Sequence, residues 1–189
     1  DLPQESVDFV LAKMLGQKGE EVLKTSLEAI AIGRSAVFGI DKRPLPVAQR
    51  GHGRHWIISG NEAMGLGAIR GGIRFVAAYP ITPATEILEW MAPKLPQVGG
   101  ALIQAEDELA SINMLLGASF GGVPSMTATS GPGLSLMLES LGLAVSSEIP
   151  LVVVDVMRGG PSTAVATRSE QTDLTGAVHG VRGEAHNRV

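Results

Sequence analysis

From Trp56 onward the chain alternates short apolar runs with longer stretches rich in small residues, and this rhythm constrains the fold more than any other feature. The runs expected as strands are Trp56 to Ser59, Phe75 to Tyr79, Ala101 to Gln104, Ser125 to Thr129 and Leu151 to Val156. Between them Glu62 to Gly71, Pro83 to Met91, Glu108 to Gly121 and Gly133 to Ser146 have the length and spacing of helices. Strands separated in this way pair in parallel through right-handed crossovers, which predicts an α/β fold: a mostly parallel sheet with helices on both faces. The run Leu151 to Val154 is apolar on both sides, as a central strand should be. In an open sheet of this kind ligands sit beyond the carboxyl ends of the strands, so chemistry is expected in the residues that follow each strand.

Ahead of this region, apolar residues from Val7 to Leu15 and from Val22 to Ile30 recur at helical spacing around a Gly16 to Gly19 break, the pattern of a helical hairpin. Gly39 to His55, with two prolines, Gly51, Gly53 and four basic residues, shows neither period and reads as a linker. The expected organisation is therefore residues 1–38 helical, 39–55 linker and 56–189 one α/β domain. A chain that opens at Asp1 without methionine and stops at Val189 just after a Gly-rich turn reads as a fragment, truncated at both ends.

Fifteen basic residues against nineteen acidic give a net charge of -4, with no basic face to neutralise a run of phosphates, so nucleic acid is not expected as a partner. There is no cysteine, which excludes disulfides and iron–sulfur ligation by this chain and fits the cytoplasm. No apolar run approaches the roughly 20 residues needed to cross a bilayer, so no membrane association is expected.

Four segments follow strands. Pro80 Ile81 Thr82 Pro83 is a stiff turn in which Pro83 suits the first position of a helix and Thr82 its N-cap. Glu106 Asp107 Glu108 opens a helix whose dipole favours carboxylates there. A carboxylic acid in an apolar pocket can share a proton with a heterocyclic nitrogen. At most one of Glu106 and Glu108 is expected to face a ligand. Glu108 is favoured because it begins a helix whose Ala110, Gly117, Ala118 and Gly121 permit close packing. Ser130 Gly131 Pro132 Gly133 can let backbone amides approach an anion or a ring. Arg158 closes the last strand, where an arginine can grip a carboxylate by two parallel hydrogen bonds. Taken singly, each is also an ordinary structural feature: a capped turn, an acidic helix start, a tight turn, a solvated arginine.

Two patterns are set aside. Gly65 Leu66 Gly67 misses the dinucleotide fingerprint because Arg70 stands where its third glycine should be. His52 and His55 lie in a basic linker without an acidic or sulfur ligand nearby, and His179 and His186 in a Gly-rich closing segment, so no metal site is expected.

Taken together, Gly60 to Ala63, Tyr79 to Thr85, Gln104 to Glu108, Thr129 to Gly133 and Arg158 to Thr163 resemble, in order and spacing, the first domain of the α subunit of 2-oxoacid:ferredoxin oxidoreductases of the 2-oxoglutarate synthase type. The resemblance covers roughly Trp56 to Val189, and residues 1 to 38 look like the tail of the γ domain fused ahead of it in many members. It implies a thiamine diphosphate-binding fold that holds the aminopyrimidine side of the cofactor. A β subunit is implied to supply the diphosphate and Mg²⁺ site and an iron–sulfur cluster. By motif position it implies that Glu108 contacts the pyrimidine nitrogen and that Pro80, Ser130 and Gly131 line the cofactor. Thr82 is implied to lie near the substrate's oxo group, and Arg158 and Thr167 to hold its carboxylate. The loop reads Pro161 Ser162 Thr163 Ala164 Val165 Ala166 Thr167, where the family usually carries a glycine and then a proline after the first threonine.

The implied reaction is oxidative decarboxylation of a 2-oxoacid such as 2-oxoglutarate or pyruvate to acyl-CoA and CO₂. Coenzyme A takes the acyl group, and electrons pass through the partner's cluster to ferredoxin. Two other readings stay open: a non-catalytic α/β assembly or binding module, and a component of a thiamine diphosphate decarboxylase without redox partners.

Overall fold

A computed structural model of the protein describes residues 3–37, 55–163, 165 and 168–180. The chain divides into two compact units, Asp1–His55 and Trp56–Val189. In the first, α1 (Gln4–Leu15) and α2 (Glu20–Ala36) form the expected helical hairpin across a 3₁₀ turn at Gly16–Lys18. Gly19 ends the turn at φ +106°, a conformation that a side chain would strain. The expected linker lies outside the described residues except for His55, which is exposed.

The second unit is built on four parallel strands: β1 (Phe75–Ala78), β2 (Ala101–Gln104), β3 (Ser125–Thr129) and β4 (Val152–Asp155). Their order in the sheet is β2-β1-β3-β4. The helices are α3 (Gly60–Arg70), α4 (Thr85–Met91), α5 (Glu108–Phe120), α6 (Gly131–Ser146) and α7 (Leu174–His179). One face of the sheet buries Val76, Ala78, Met126 and Ala128 against Ile87, Leu88 and Met91 of α4. On the other face Val153 packs with Ile112 of α5 and with Leu134, Met137 and Leu141 of α6. Fully buried side chains such as Ile87, Met91, Ile112 and Met137 each stabilise the fold by about 1.5–3 kcal/mol relative to exposure, so both faces are firmly held.

Two expectations are corrected. Trp56 to Ser59 forms no strand; Ile57 is 100% and Trp56 71% exposed, and among the described residues no neighbouring strand lies there to make a ladder. The segment instead ends in a capping box. Ser59 Oγ accepts from the Glu62 amide at 3.2 Å, and the Ser59 amide donates to Glu62 Oε2 at 2.8 Å, which starts α3 two residues early. The apolar run at Leu151 to Val154 does not place β4 in the centre, for among the described residues β3 is its one neighbour and Val152 is 45% exposed. Its two-sided apolar character reflects contact with helices on both faces through Val153 and Val154, which an edge strand meets as well.

Gly65, set aside as a nucleotide motif, has a packing role. A Cβ there would stand 2.8 Å from Trp90 Cε3 and 3.0 Å from Met91 Cγ, so its lack of a side chain lets α3 close on α4.

Candidate functional site

The carboxyl ends of β1, β3 and β4 and the start of α5 carry the polar groups of the second unit. Asp107 rather than Glu108 caps α5, its carboxylate accepting from the Ala110 amide at 2.6 Å. That cap turns Glu108 into the first helical residue and into the interior, where it is 7% exposed, while Glu106 stays at the surface. Among the described residues no side-chain hydrogen bond or ion pair engages the Glu108 carboxylate.

What seats Glu108 is the first turn of α6. A Cβ on Gly133 would come within 2.9 Å of both Glu108 Cγ and Oε1 and would overlap Thr129 Oγ1. Thr129 ends β3 and is fully buried. The expected close packing within α5 is not at Gly117, which faces open space; it occurs across the helix pair at Gly133. The space a Cβ would take at Gly131 is filled in the same way, by the carboxylate of Asp173. The amides of Gly133 and Leu134 both donate to the Ser130 carbonyl at 2.9 Å. These glycines therefore seat side chains of the chain itself, and those two amides are already satisfied.

Arg158 is 6% exposed and joins two loops: Nη1 donates to the Thr82 carbonyl at 3.2 Å and Nη2 to the Ser162 carbonyl at 2.9 Å. Its Nε is buried without a partner, leaving a donor in reserve. The turn at Thr82 differs from expectation. Thr82 is exposed and does not cap α4; the helix begins at Thr85 after Ala84, because the chain first turns back through a Thr85 amide to Ile81 carbonyl bond of 3.0 Å. Pro80 lines a concavity of about 360 Å³ with Leu88, Leu102 and Gln104, apart from Glu108. Ser130 is fully buried, with its hydroxyl unpartnered. Thr167 lies outside the described residues.

The structure thus joins Arg158 to Thr82 and sets Glu108 against Gly133, residues that follow the ends of all four strands. It adds three residues that sequence reasoning did not single out: Thr129, Asp155 and Asp173. Asp155 ends β4 with both carboxylate oxygens buried and unpartnered. Burial, and then the Asp173 charge, push its pKa from 3.8 up to about 6. One signal for it was present, an acidic residue closing the apolar run of Val152 to Val154.

A parallel sheet whose strand ends gather a buried carboxylate, a buried arginine and an unpartnered hydroxyl defines an α/β domain equipped to hold a polar organic ligand. Residues 66–181 match the thiamine diphosphate-binding domain of pyruvate flavodoxin/ferredoxin oxidoreductases, and the chain belongs to that family. It is 54% identical over 127 residues to subunit KorA of the 2-oxoglutarate synthase of Methanocaldococcus jannaschii, covering 67% of this chain and 35% of that protein. It is 44% identical over 146 residues to subunit KorA of a 2-oxoglutarate oxidoreductase of Mycobacterium tuberculosis, covering 75% and 22%. Similarity to the α subunit of 2-oxoacid:ferredoxin oxidoreductase 1 of Aeropyrum pernix, 34% identical, extends over 97% of this chain and 30% of that one.

Among solved structures, a 2-oxoglutarate:ferredoxin oxidoreductase from Magnetococcus marinus, with 2-oxoglutarate, coenzyme A and succinyl-CoA bound, superposes with a TM-score of 0.81 at 50% identity. That match covers 97% of this chain and 32% of the other. The chain thus spans about a third of the length of the relatives KorA of M. jannaschii and the M. marinus enzyme. Two polar groups fit the cofactor of this family: the Glu108 carboxylate and the orphaned Ser130 hydroxyl are what a ring nitrogen and an amino group of an aminopyrimidine need. Among the described residues no helix is long and apolar enough to cross a membrane, and no group of three or more His, Cys, Asp or Glu is placed to hold a metal ion.

Proposed function

We propose that this chain is the pyrimidine-binding part of the α subunit of a cytoplasmic 2-oxoacid:ferredoxin oxidoreductase, acting on 2-oxoglutarate or a similar 2-oxoacid with coenzyme A. A β subunit would complete the site with the diphosphate and Mg²⁺ ligands and an iron–sulfur cluster, from which ferredoxin takes the electrons. Residues 1–38 would be the tail of a γ-type domain. The single observation that carries the reading is the seat of Glu108: a buried carboxylate at the head of α5, held by packing across Gly133, with no partner among the described residues.

Thiamine diphosphate, when bound, supplies the electron sink for loss of CO₂ from a 2-oxoacid. Glu108 would hold or receive a proton at Oε1 or Oε2 against the ring nitrogen, and its burial would keep bulk water from that exchange. Arg158 would orient the 2-oxoacid by its carboxylate through donors left after its bonds to the Thr82 and Ser162 carbonyls, while Thr82 and Thr167 would border the same ligand. Pro80 and Gly131 would contribute shape rather than charge.

The test is coenzyme A- and 2-oxoglutarate-dependent reduction of ferredoxin or a viologen by the full-length α subunit with its β partner, wild type against Glu108→Gln. A loss of roughly 10²–10⁴-fold in turnover with the complex intact is the expected result. Undiminished reduction removes Glu108 from the chemistry. No reduction by the wild type with any 2-oxoacid favours a non-catalytic module, and turnover of the acid without electron transfer favours a non-redox decarboxylase.

A further inference from the structure

Under α6 the sheet carries a strip of polar groups. Along β3 and β4 the residues facing α5 and α6 alternate with Met126, Ala128 and Val154, which face α3 and α4, so Thr127, Thr129, Val153 and Asp155 share the α6 side. Thr129 and Asp155 are direct neighbours in the parallel register. Asp155 has both carboxylate oxygens buried and without partner, and so does Oδ2 of Asp173, whose carboxylate rests on Gly131 at the first residue of α6. Asp155 lines one concavity with Ala177 and Val178 of α7, the helix that Asp173 precedes, so the two carboxylates lie at the same end of the sheet. Like charges so placed, with oxygens out of water and without partners, favour a proton on one of them.

We propose that Asp155 and Asp173 form a proton-sharing carboxyl pair that fastens the segment carrying Arg158 to the first turn of α6, making Asp155 a positioning residue for the site. Arg158 lies three residues after Asp155, and Gly131 lies two before Gly133, the residue that seats Glu108. One pair therefore ties the arginine and the carboxylate of the site to a common frame. With one proton the pair closes; with none, two like charges push β4's end and Asp173 apart.

Among the described residues no hydrogen bond or ion pair engages the Asp155 carboxylate. Of the elements packed around it, α4 carries Glu86 and Glu89, both exposed. β3 has no ionisable residue, and α6 carries one, Glu139, exposed and more than two turns beyond Gly131. The ionisable residue of α7 is His179 at its far, exposed end. On α5, Glu108 is seated at Gly133, and after β4 Arg158 donates to Thr82 and Ser162 while Glu170 lies beside Gly159. On the opposite face α3 offers Glu62, bound in its capping box, and Arg70, which is exposed. The pKa of about 6 at Asp155, raised by burial and then by Asp173, accords with this arrangement.

The sign follows from linkage. A carboxyl whose folded pKa is raised keeps its proton in the native state while the unfolded chain has lost it. Its stabilising contribution is therefore whole below the unfolded value of 3.8 and is lost as pH rises to about 6, beyond which it is constant. The inference rests on the reading of Arg158 as a carboxylate ligand, so its test has two arms in the full-length α subunit with its β partner.

In the first arm, the unfolding equilibrium is compared for wild type, Asp155→Asn and Asp173→Asn. Either asparagine variant gains on the wild type between pH 4 and pH 6, by up to about tenfold per pH unit, with a level difference above; partial exposure makes this an upper bound. In the second arm, KM for the 2-oxoacid rises in the wild type between pH 5.5 and 7.5 by up to about tenfold per pH unit beyond the rise in kcat, and either variant flattens it. Two variants guard against one that fails to fold. A difference from wild type that does not change with pH overturns the raised carboxyl if seen in Asp155→Asn and the pair itself if seen in Asp173→Asn, since burial alone already makes Asp155→Asn pH-dependent. Absence of wild-type turnover defeats the functional reading while the first arm still decides the pair, and a flattened stability curve with an unchanged KM profile overturns the positioning role alone.

Discussion

Gly133→Ala separates the two demands that meet at the head of α6. At the third position of a helix, replacing glycine by alanine gains about 1 kcal/mol from backbone entropy. Against that stands the methyl group, which would overlap Thr129 Oγ1 and approach Glu108 Cγ and Oε1 to 2.9 Å. Thr129 is fully buried on a strand and cannot swing aside cheaply, so overpacking costs about 1–3 kcal/mol. The net loss of stability is then about 0–2 kcal/mol, small enough for the complex to survive. Activity is expected to fall much further, because Glu108 is the neighbour free to yield, and a shift of about 1 Å at a reacting group costs about 100-fold. The assay is kcat/KM for 2-oxoglutarate-dependent viologen reduction alongside a denaturant titration. Gly117→Ala is the control: it meets nothing within 4 Å, so it gains up to about 1 kcal/mol and leaves turnover unchanged. Wild-type activity in an intact Gly133→Ala complex would refute the seat of Glu108.

Gly65→Ala brings a methyl to 2.8 Å from Trp90 Cε3, so chemical denaturation should show a loss of up to about 2 kcal/mol with turnover per intact complex unchanged. Asp107→Ala removes the cap that accepts from Ala110 and should cost about 1 kcal/mol in the same measurement. Arg158→Lys keeps the charge, but an ammonium cannot span the Thr82 and Ser162 carbonyls as the guanidinium fork does. Steady-state kinetics should show KM for the 2-oxoacid raised roughly tenfold to 100-fold, with kcat less affected.

The strands Ala101–Gln104 and Ser125–Thr129 were legible to the residue because Gly99 Gly100 and an acidic helix start bound the first, and Pro124 and Ser130 Gly131 the second. Trp56 to Ser59 was not, because a run of aromatic and β-branched residues reports willingness to be a strand, while a strand exists only beside another. The start of α4 was misplaced for a related reason: Thr-Pro is a common helix opening, but a tertiary carbonyl contact, Arg158 to Thr82, engages that turn from 76 residues away.

At the site, Glu108 was separable from Glu106 in advance, since Asp107 between them is a better N-cap and a capped helix fixes which neighbour turns inward. The glycines were not separable. Gly117 and Gly133 both stand in small-residue helices and read alike in the sequence, yet one faces open space and the other receives two side chains from different elements. The same holds for Asp155 and Asp173, eighteen positions apart, whose significance arises from the parallel register that sets Asp155 beside Thr129 and from the turn that lays Asp173 on Gly131. Chemistry that depends on one side chain and its local helix can be read along the chain. Chemistry that depends on how two strand ends share a helix terminus arises only once the crossovers are made, and Asp155 belongs to this second kind.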